Sequence, residues 1–136
     1  MIVIDASLMI AWLFDRDLEA MQPRLGAWLA EAPIIVPSHW PIALADALRR
    51  GVRDEWLTRG DLAMIVERIE RLDVRVQPRL ATAEIGALAE LAAACDLTAG
   101  EAAYVQLAIE HRAALATFDR ALRQAAARLH IALLPP

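Results

Sequence analysis

At 136 residues, with 58% hydrophobic residues and a mean hydropathy of +0.37, the chain is long enough to bury one core. It is too short for two and too apolar to be disordered. A formal net charge of −4 and a pI near 5.3 argue weakly against nucleic-acid binding by bulk charge. All 14 basic residues are arginines, which excludes a P-loop GK[ST], a Schiff-base lysine and the lysine of phosphoryl-transfer domains that pair it with an aspartate.

The expectation is one domain over residues 1–136. Its single cysteine, Cys95, excludes a disulfide framework or a cysteine metal site within one chain. The longest apolar run, Leu8 to Phe14, is far short of the roughly 20 residues of a membrane span. The opening MIVIDAS has no basic region before its first acid, so a signal peptide is not expected. A cytoplasmic location without membrane attachment is the default.

Along the chain, MIVI is short, β-branched and apolar, the pattern of a buried parallel strand ending at Asp5. SLMIAWLF has helical spacing, and Pro23–Glu31 reads as a second helix because proline is tolerated in a first turn. PIIVP is the next strand, and Ser38 is the expected N-cap of a helix carrying Ala43. TRGDLAMIVERIERL predicts a helix with its apolar face at 62, 65, 66, 69 and 72. DVRVQP reads as a strand, TAEIGALAELAAAC as a helix, and Thr98 opens a further helix through His111. ALATF is a strand, DRALRQAAARL a helix and IALL a last strand. Strand and helix alternating throughout predict a three-layer α/β/α domain with a central parallel sheet, since parallel neighbours need a crossover. In such sheets ligands bind beyond the carboxyl ends of the strands, where strand order reverses.

Two acids fall at such ends, Asp5 after MIVI and Asp119 after ALATF. Helix capping explains each alone, because an aspartate accepts hydrogen bonds from the free N–H groups of a first turn. Glu101 has the stronger bland account, since TAGE has the form of a capping box from Thr98. Together the acids point further. Carboxylates gathered by a fold repel one another unless a cation neutralises them, and oxygen-only ligands suit Mg²⁺ or Mn²⁺. Such an ion activates water and stabilises both oxygens of an in-line phosphoryl displacement, so the pattern suggests metal-dependent phosphodiester hydrolysis.

Other candidates carry less. His39, His111 and His130 show no ligand spacing, and Trp12, Trp28, Trp40 and Trp56 are most simply core or interface residues. Ser7 has no histidine partner for a triad, but its hydroxyl lies near Asp5 in sequence. Arg49, Arg50 and Arg53 suit either a helix C-terminus or a phosphate-contacting patch. Arg120 and Arg123 adjoin Asp119 and are candidates to contact substrate beside a metal.

IVIDASLMIAWLF, VPSHWPIALADALRRG and LTAGEAAYVQLAIEHRAALATFDRAL, in that order and spacing, resemble the PIN domain, specifically the VapC toxins of bacterial VapBC toxin–antitoxin pairs. The likeness covers nearly the whole chain. It implies a PIN-like α/β/α sandwich and an Mg²⁺- or Mn²⁺-dependent endoribonuclease. By the same resemblance Asp5, Glu101 and Asp119 are metal ligands, with Glu101 standing where an aspartate is usual. Ser7 and Thr117 are the hydroxyl neighbours of the metal site, and Asp46 falls where the family often has asparagine. A homodimer and inhibition by a VapB-type antitoxin are also implied.

Ala43 occupies the place of the family's second acid, a glutamate. Three accounts stay open: an engineered inactivation of a toxin, replacement of the carboxylate by Asp46 on roughly the same helical face, or a degenerate PIN domain that binds RNA or protein without cutting. Loss of one carboxylate in four implies impaired nuclease activity in an intact fold, because alanine is the best helix former. A small metal-dependent phosphatase or response-regulator-like domain is disfavoured by the absence of lysine and of a second acid next to Asp5.

Overall fold

The computed structural model describes residues 1–14 and 23–136. In chain order the elements are β1 (Ile2–Ile4), α1 (Ala6–Phe14), α2 (Pro23–Glu31), β2 (Ile34–Val36), α3 (Trp40–Arg53), α4 (Arg59–Glu70) and β3 (Val74–Val76). A short 3₁₀ turn (Thr82–Glu84) then leads into α5 (Ile85–Cys95), α6 (Ala99–His111), β4 (Ala114–Ala116), α7 (Arg120–Arg128) and β5 (Leu133–Leu134).

All strand pairs are parallel, in the order β3-β2-β1-β4-β5. Ile2 pairs with Ile34 on one side and Ala114 on the other, so β1 is central. Successive strand residues face opposite sides, yet Ile2, Val3 and Ile4 are all buried, as are Ile34, Ile35 and Val36. Helices therefore cover both faces, which makes the molecule a three-layer α/β/α sandwich. The edge strand β3 differs: Arg75 and Val76 are exposed.

The chain runs outward from β1 to β2 and β3, then returns to β4 on the opposite side of β1. The reversal of strand order thus lies between β1 and β4. The main core joins these strands to Leu8, Met9, Leu25, Leu29, Leu44, Val105 and Leu122. A smaller cluster of Leu88, Ala92 and Ala102 seals α5 against α6.

Several local expectations need correction. Ser38 is not the cap of α3: the cap position is His39, without a side-chain hydrogen bond, and Trp40 starts the helix with Pro41 in its first turn. A proline there presets helical φ, so the start needs no side-chain acceptor. Val66 was expected on the buried face of α4 but is 47% exposed, because only Ile65 of that helix reaches full burial. TAE forms the 3₁₀ turn rather than the first turn of α5. Strand β4 ends at Ala116, releasing Thr117 and Phe118 to the loop that carries Asp119.

Candidate functional site

Asp5 follows β1 directly, and its backbone N–H donates to Ala116 O of β4 at 3.2 Å, so it stands on the line where strand order reverses. Its side chain is both a cap and something more. Oδ1 accepts the Leu8 N–H (2.6 Å) in the first turn of α1 and the Ser7 hydroxyl (3.0 Å). Oδ2 accepts the Thr117 hydroxyl, which comes from the far side of the chain. The Asp119 N–H donates to that same Thr117 oxygen at 2.9 Å, which leaves the hydroxyl proton for Asp5. Asp119 Oδ1 in turn caps α7 by accepting the Leu122 N–H at 2.8 Å.

The capping role expected for Asp5 and Asp119 is therefore present, and it coexists with convergence. Asp5 is 5% exposed and Thr117 fully buried. Burial pushes the Asp5 carboxyl above the ordinary aspartate value; hydrogen bonds from Thr117, Leu8 and Ser7 pull it back in part, and the nearby Asp119 charge pushes the same way as burial. Among the described residues, the groups that stabilise its charge, Thr117, Leu8 and Ser7, are neutral donors. Burial of a carboxylate near a second carboxylate is expensive in a low-dielectric interior.

Tyr104 completes this wall. It is buried on α6, its hydroxyl meets the backbone of Ala6, and burial together with the Asp5 charge raises its pKa. Sequence reading missed it, although it stands three residues after Glu101 and so on the same helical stripe. Its ring meets His39 edge to face, with centroids 5.3 Å apart.

Glu101 is placed differently. Its Oε2 accepts the Thr98 N–H (2.8 Å) while its own N–H donates to Thr98 Oγ1 (3.2 Å), a complete capping box. The helix that carries it, α6, packs on β1 and β4. Among the described residues no three His, Cys, Asp or Glu side chains converge as they stand; Asp5 and Asp119 form a pair, and Glu101 is turned toward its own cap. The donor set nevertheless fits a hard divalent ion: it consists of carboxylate and hydroxyl oxygens, and each carboxylate oxygen has lone pairs beyond those already engaged.

Ala43 lies in the first turn of α3, which packs against α1. Together with Ala6, Ser7, Ile10, Ala47, Arg50, Asp54 and Trp56 it lines a cavity of about 410 Å³. Position 43 thus opens onto space beside the hydroxyl that holds Asp5. Asp46 does not. It is exposed and pairs with Arg49 at 3.5 Å, with both side chains more than half exposed. The expectation that Asp46 shares a face with position 43 is corrected: Ala43 and Ala47, four residues apart, point into the cavity, and Asp46 is rotated out.

Among the arginines, Arg49 is committed to Asp46 on that outer face. Arg120 is exposed at the start of α7. Arg123 donates from Nη1 to Thr117 O and to Pro135 O, both at 3.0 Å, so it staples the Thr117 loop to the C-terminal segment. Among the arginines of the described residues, Arg50 is the one that reaches the cavity. A second cavity, of about 350 Å³, lies past the ends of β2 and β3 between His39, Gln77, Leu88, Gly100 and Gln106.

No family model matches the chain, and no curated protein matches it. Among solved structures it is similar to the crystal structure of PAE2754 from Pyrobaculum aerophilum, with 16% sequence identity over 91% of this chain and 83% of that one, at a TM-score of 0.66. At that identity the likeness speaks for the shared α/β/α fold.

Proposed function

We propose that the chain is a PIN-type, VapC-like endoribonuclease, dependent on Mg²⁺ or Mn²⁺, whose activity is impaired by alanine at position 43. The observation that carries this reading is the buried Asp5 carboxylate, with half-buried Asp119 near it, at the reversal of strand order, the place where α/β sheets bind ligands. Asp5, Asp119 and a reoriented Glu101 would hold the ion. When bound, it would supply an activated water and charge stabilisation for phosphodiester hydrolysis. Ser7 and Thr117 fix the orientation of Asp5, and Arg123 fixes the loop that presents Thr117.

The same reading carries a cytoplasmic toxin that forms a homodimer, cuts RNA and is restrained by a VapB-type antitoxin. No helix among the described residues is long and apolar enough to cross a membrane. A specific observation also favours a second reading, a non-catalytic PIN module that binds RNA or protein: position 43 brings a methyl group and no carboxylate to the cavity beside Ser7, and Asp46 is exposed beside Arg49 and does not line it.

One comparison separates them. The chain and its Ala43→Glu variant are each incubated with total bacterial RNA in Mg²⁺ or Mn²⁺, with EDTA controls. EDTA-sensitive cleavage by the glutamate variant, at least about 100-fold above the parent, is the expected result for loss of a group that positions the metal and water. Equal cleavage by both proteins would show that position 43 is not part of the catalytic set. Cleavage by neither, in both metals, would favour the binding module.

A further inference from the structure

The cavity beside Ser7 has a second wall that the metal chemistry does not use. Trp56 is 48% exposed, although it sits in a short connection between α3 and α4 and not in a floppy tail. The chain holds it firmly. Glu55 takes a left-handed conformation at φ 63, which a residue with a side chain adopts at a cost of order 1 kcal/mol. The Trp56 and Leu57 N–H groups both donate to Gly51 O at 3.1 Å. Gly51 is there to admit the indole: a Cβ at that position would lie 2.6 Å from Trp56 Cζ2 and 2.7 Å from Leu57 Cδ1. The Phe14 ring meets the indole edge to face, at 5.3 Å and 81°.

A glycine-seated tryptophan that follows a left-handed residue and stays half exposed is poorly explained by core packing. Beside it, Arg50 lines the same cavity, while the acid on that rim, Asp54, is engaged by Arg53 at 2.8 Å. The floor is small: Ala6, Ala43 and Ala47. A flat aromatic, an arginine and a small-residue floor match the base and the phosphate of one single-stranded nucleotide, since every base has a face to stack and arginine pairs with phosphate.

We propose that Trp56 and Arg50 form a nucleotide subsite for single-stranded RNA, with a base stacked on the Trp56 indole and its phosphate on the Arg50 guanidinium. The subsite deepens the nuclease reading and rests on it for the identity of the polymer, because it opens beside Ser7 and position 43, where the scissile phosphate would lie. Recognition through stacking is tolerant of sequence, so the subsite sets where a strand lies more than which strand is chosen.

The test is binding of a labelled single-stranded RNA decamer of mixed sequence to the Ala43 chain in Mg²⁺, by fluorescence anisotropy, for the parent, Trp56→Leu, Trp56→Phe and Arg50→Gln. Thermal melts show whether each variant is folded. Trp56→Leu is expected to weaken binding about tenfold, Trp56→Phe to retain most of it, and Arg50→Gln to reduce the slope of log K against log salt by about 0.7. Equal affinity in folded Trp56→Leu, or no binding by the parent, overturns the subsite; the former would leave the indole as a face for a protein partner. The outcome is separable from the nuclease reading. RNA binding that depends on Trp56 in a chain whose Ala43→Glu variant never cuts would retain the subsite and sink the nuclease. Cleavage by Ala43→Glu that is indifferent to Trp56→Leu would do the reverse.

Discussion

Asp5 and Glu101 are both acids in contact with the first turn of a helix, and both accept a backbone N–H there, yet they are held in opposite ways. The donors to Glu101 come from its own helix start, three residues away, and the residue stays partly exposed. The donors to Asp5 include Thr117, 112 residues along the chain, and the carboxylate is buried beside Asp119. A local cap can be built by any helix, whereas an acid buried between α1 and the loop after β4 carries a desolvation cost that its three hydrogen bonds offset only in part. The comparison teaches that capping geometry alone does not discriminate between the acids; the reach and burial of the partners do.

The largest expected effect breaks the comparison outright. In the Ala43→Glu background, Asp5→Asn should lower RNA cleavage at least about 100-fold. Glu101→Gln should lower it at least about tenfold while changing stability by less than about 1 kcal/mol, because glutamine also closes a capping box. Cleavage unchanged by Glu101→Gln, measured on the same RNA, would reduce Glu101 to a cap.

A pH series sharpens the contrast without any enzyme assay. The folded pKa of Asp5 lies above the unfolded value of about 3.9, so the folded protein binds this proton more tightly. The stability linked to it is fully present below the unfolded value and is lost as pH rises through the folded one. In EDTA, the melting temperature of the parent should therefore fall by a few degrees relative to Asp5→Asn between pH 4 and pH 7. Added Mg²⁺ at pH 7 should recover part of the difference. Parallel curves for the two proteins would mean that Asp5 is not under the strain described.

The smallest effect concerns Asp46. Its exposed pair with Arg49 is of the kind worth little, so Asp46→Ala should change stability by no more than about 0.5 kcal/mol and leave cleavage by the Ala43→Glu protein unaltered. A large loss of cleavage would bring Asp46 back into the site.

Periodicity made the alternation of strands and helices readable because the strands are buried on both faces and show as apolar runs, MIVI above all. The capping box at Thr98 was equally plain, being a relation between near neighbours. What the sequence did not show were relations across distance: the Thr117 hydroxyl on Asp5, the Tyr104 ring behind it and the turn of α3 that puts Asp46 outside. Of the two roles open to Trp56, core and interface, its 48% exposure excludes the core; its polar neighbours in RDEWLTRG were the available sign that it stands at the surface. Ser38 was misplaced as a cap because Pro41 starts the helix by backbone restriction, with no side-chain acceptor needed.

The capping box on α6 has a last consequence. The Glu101 carboxylate cannot turn toward Asp5 without releasing the Thr98 amide, so the first turn of α6 favours the capped position of this side chain. Were Glu101 recruited to the proposed cation, releasing a cap worth about 1 kcal/mol would lower the affinity about fivefold. The longer side chain at position 101, compared with an aspartate, then has a physical meaning: it is long enough to bend back to the Thr98 amide and keep the first turn of α6 wound.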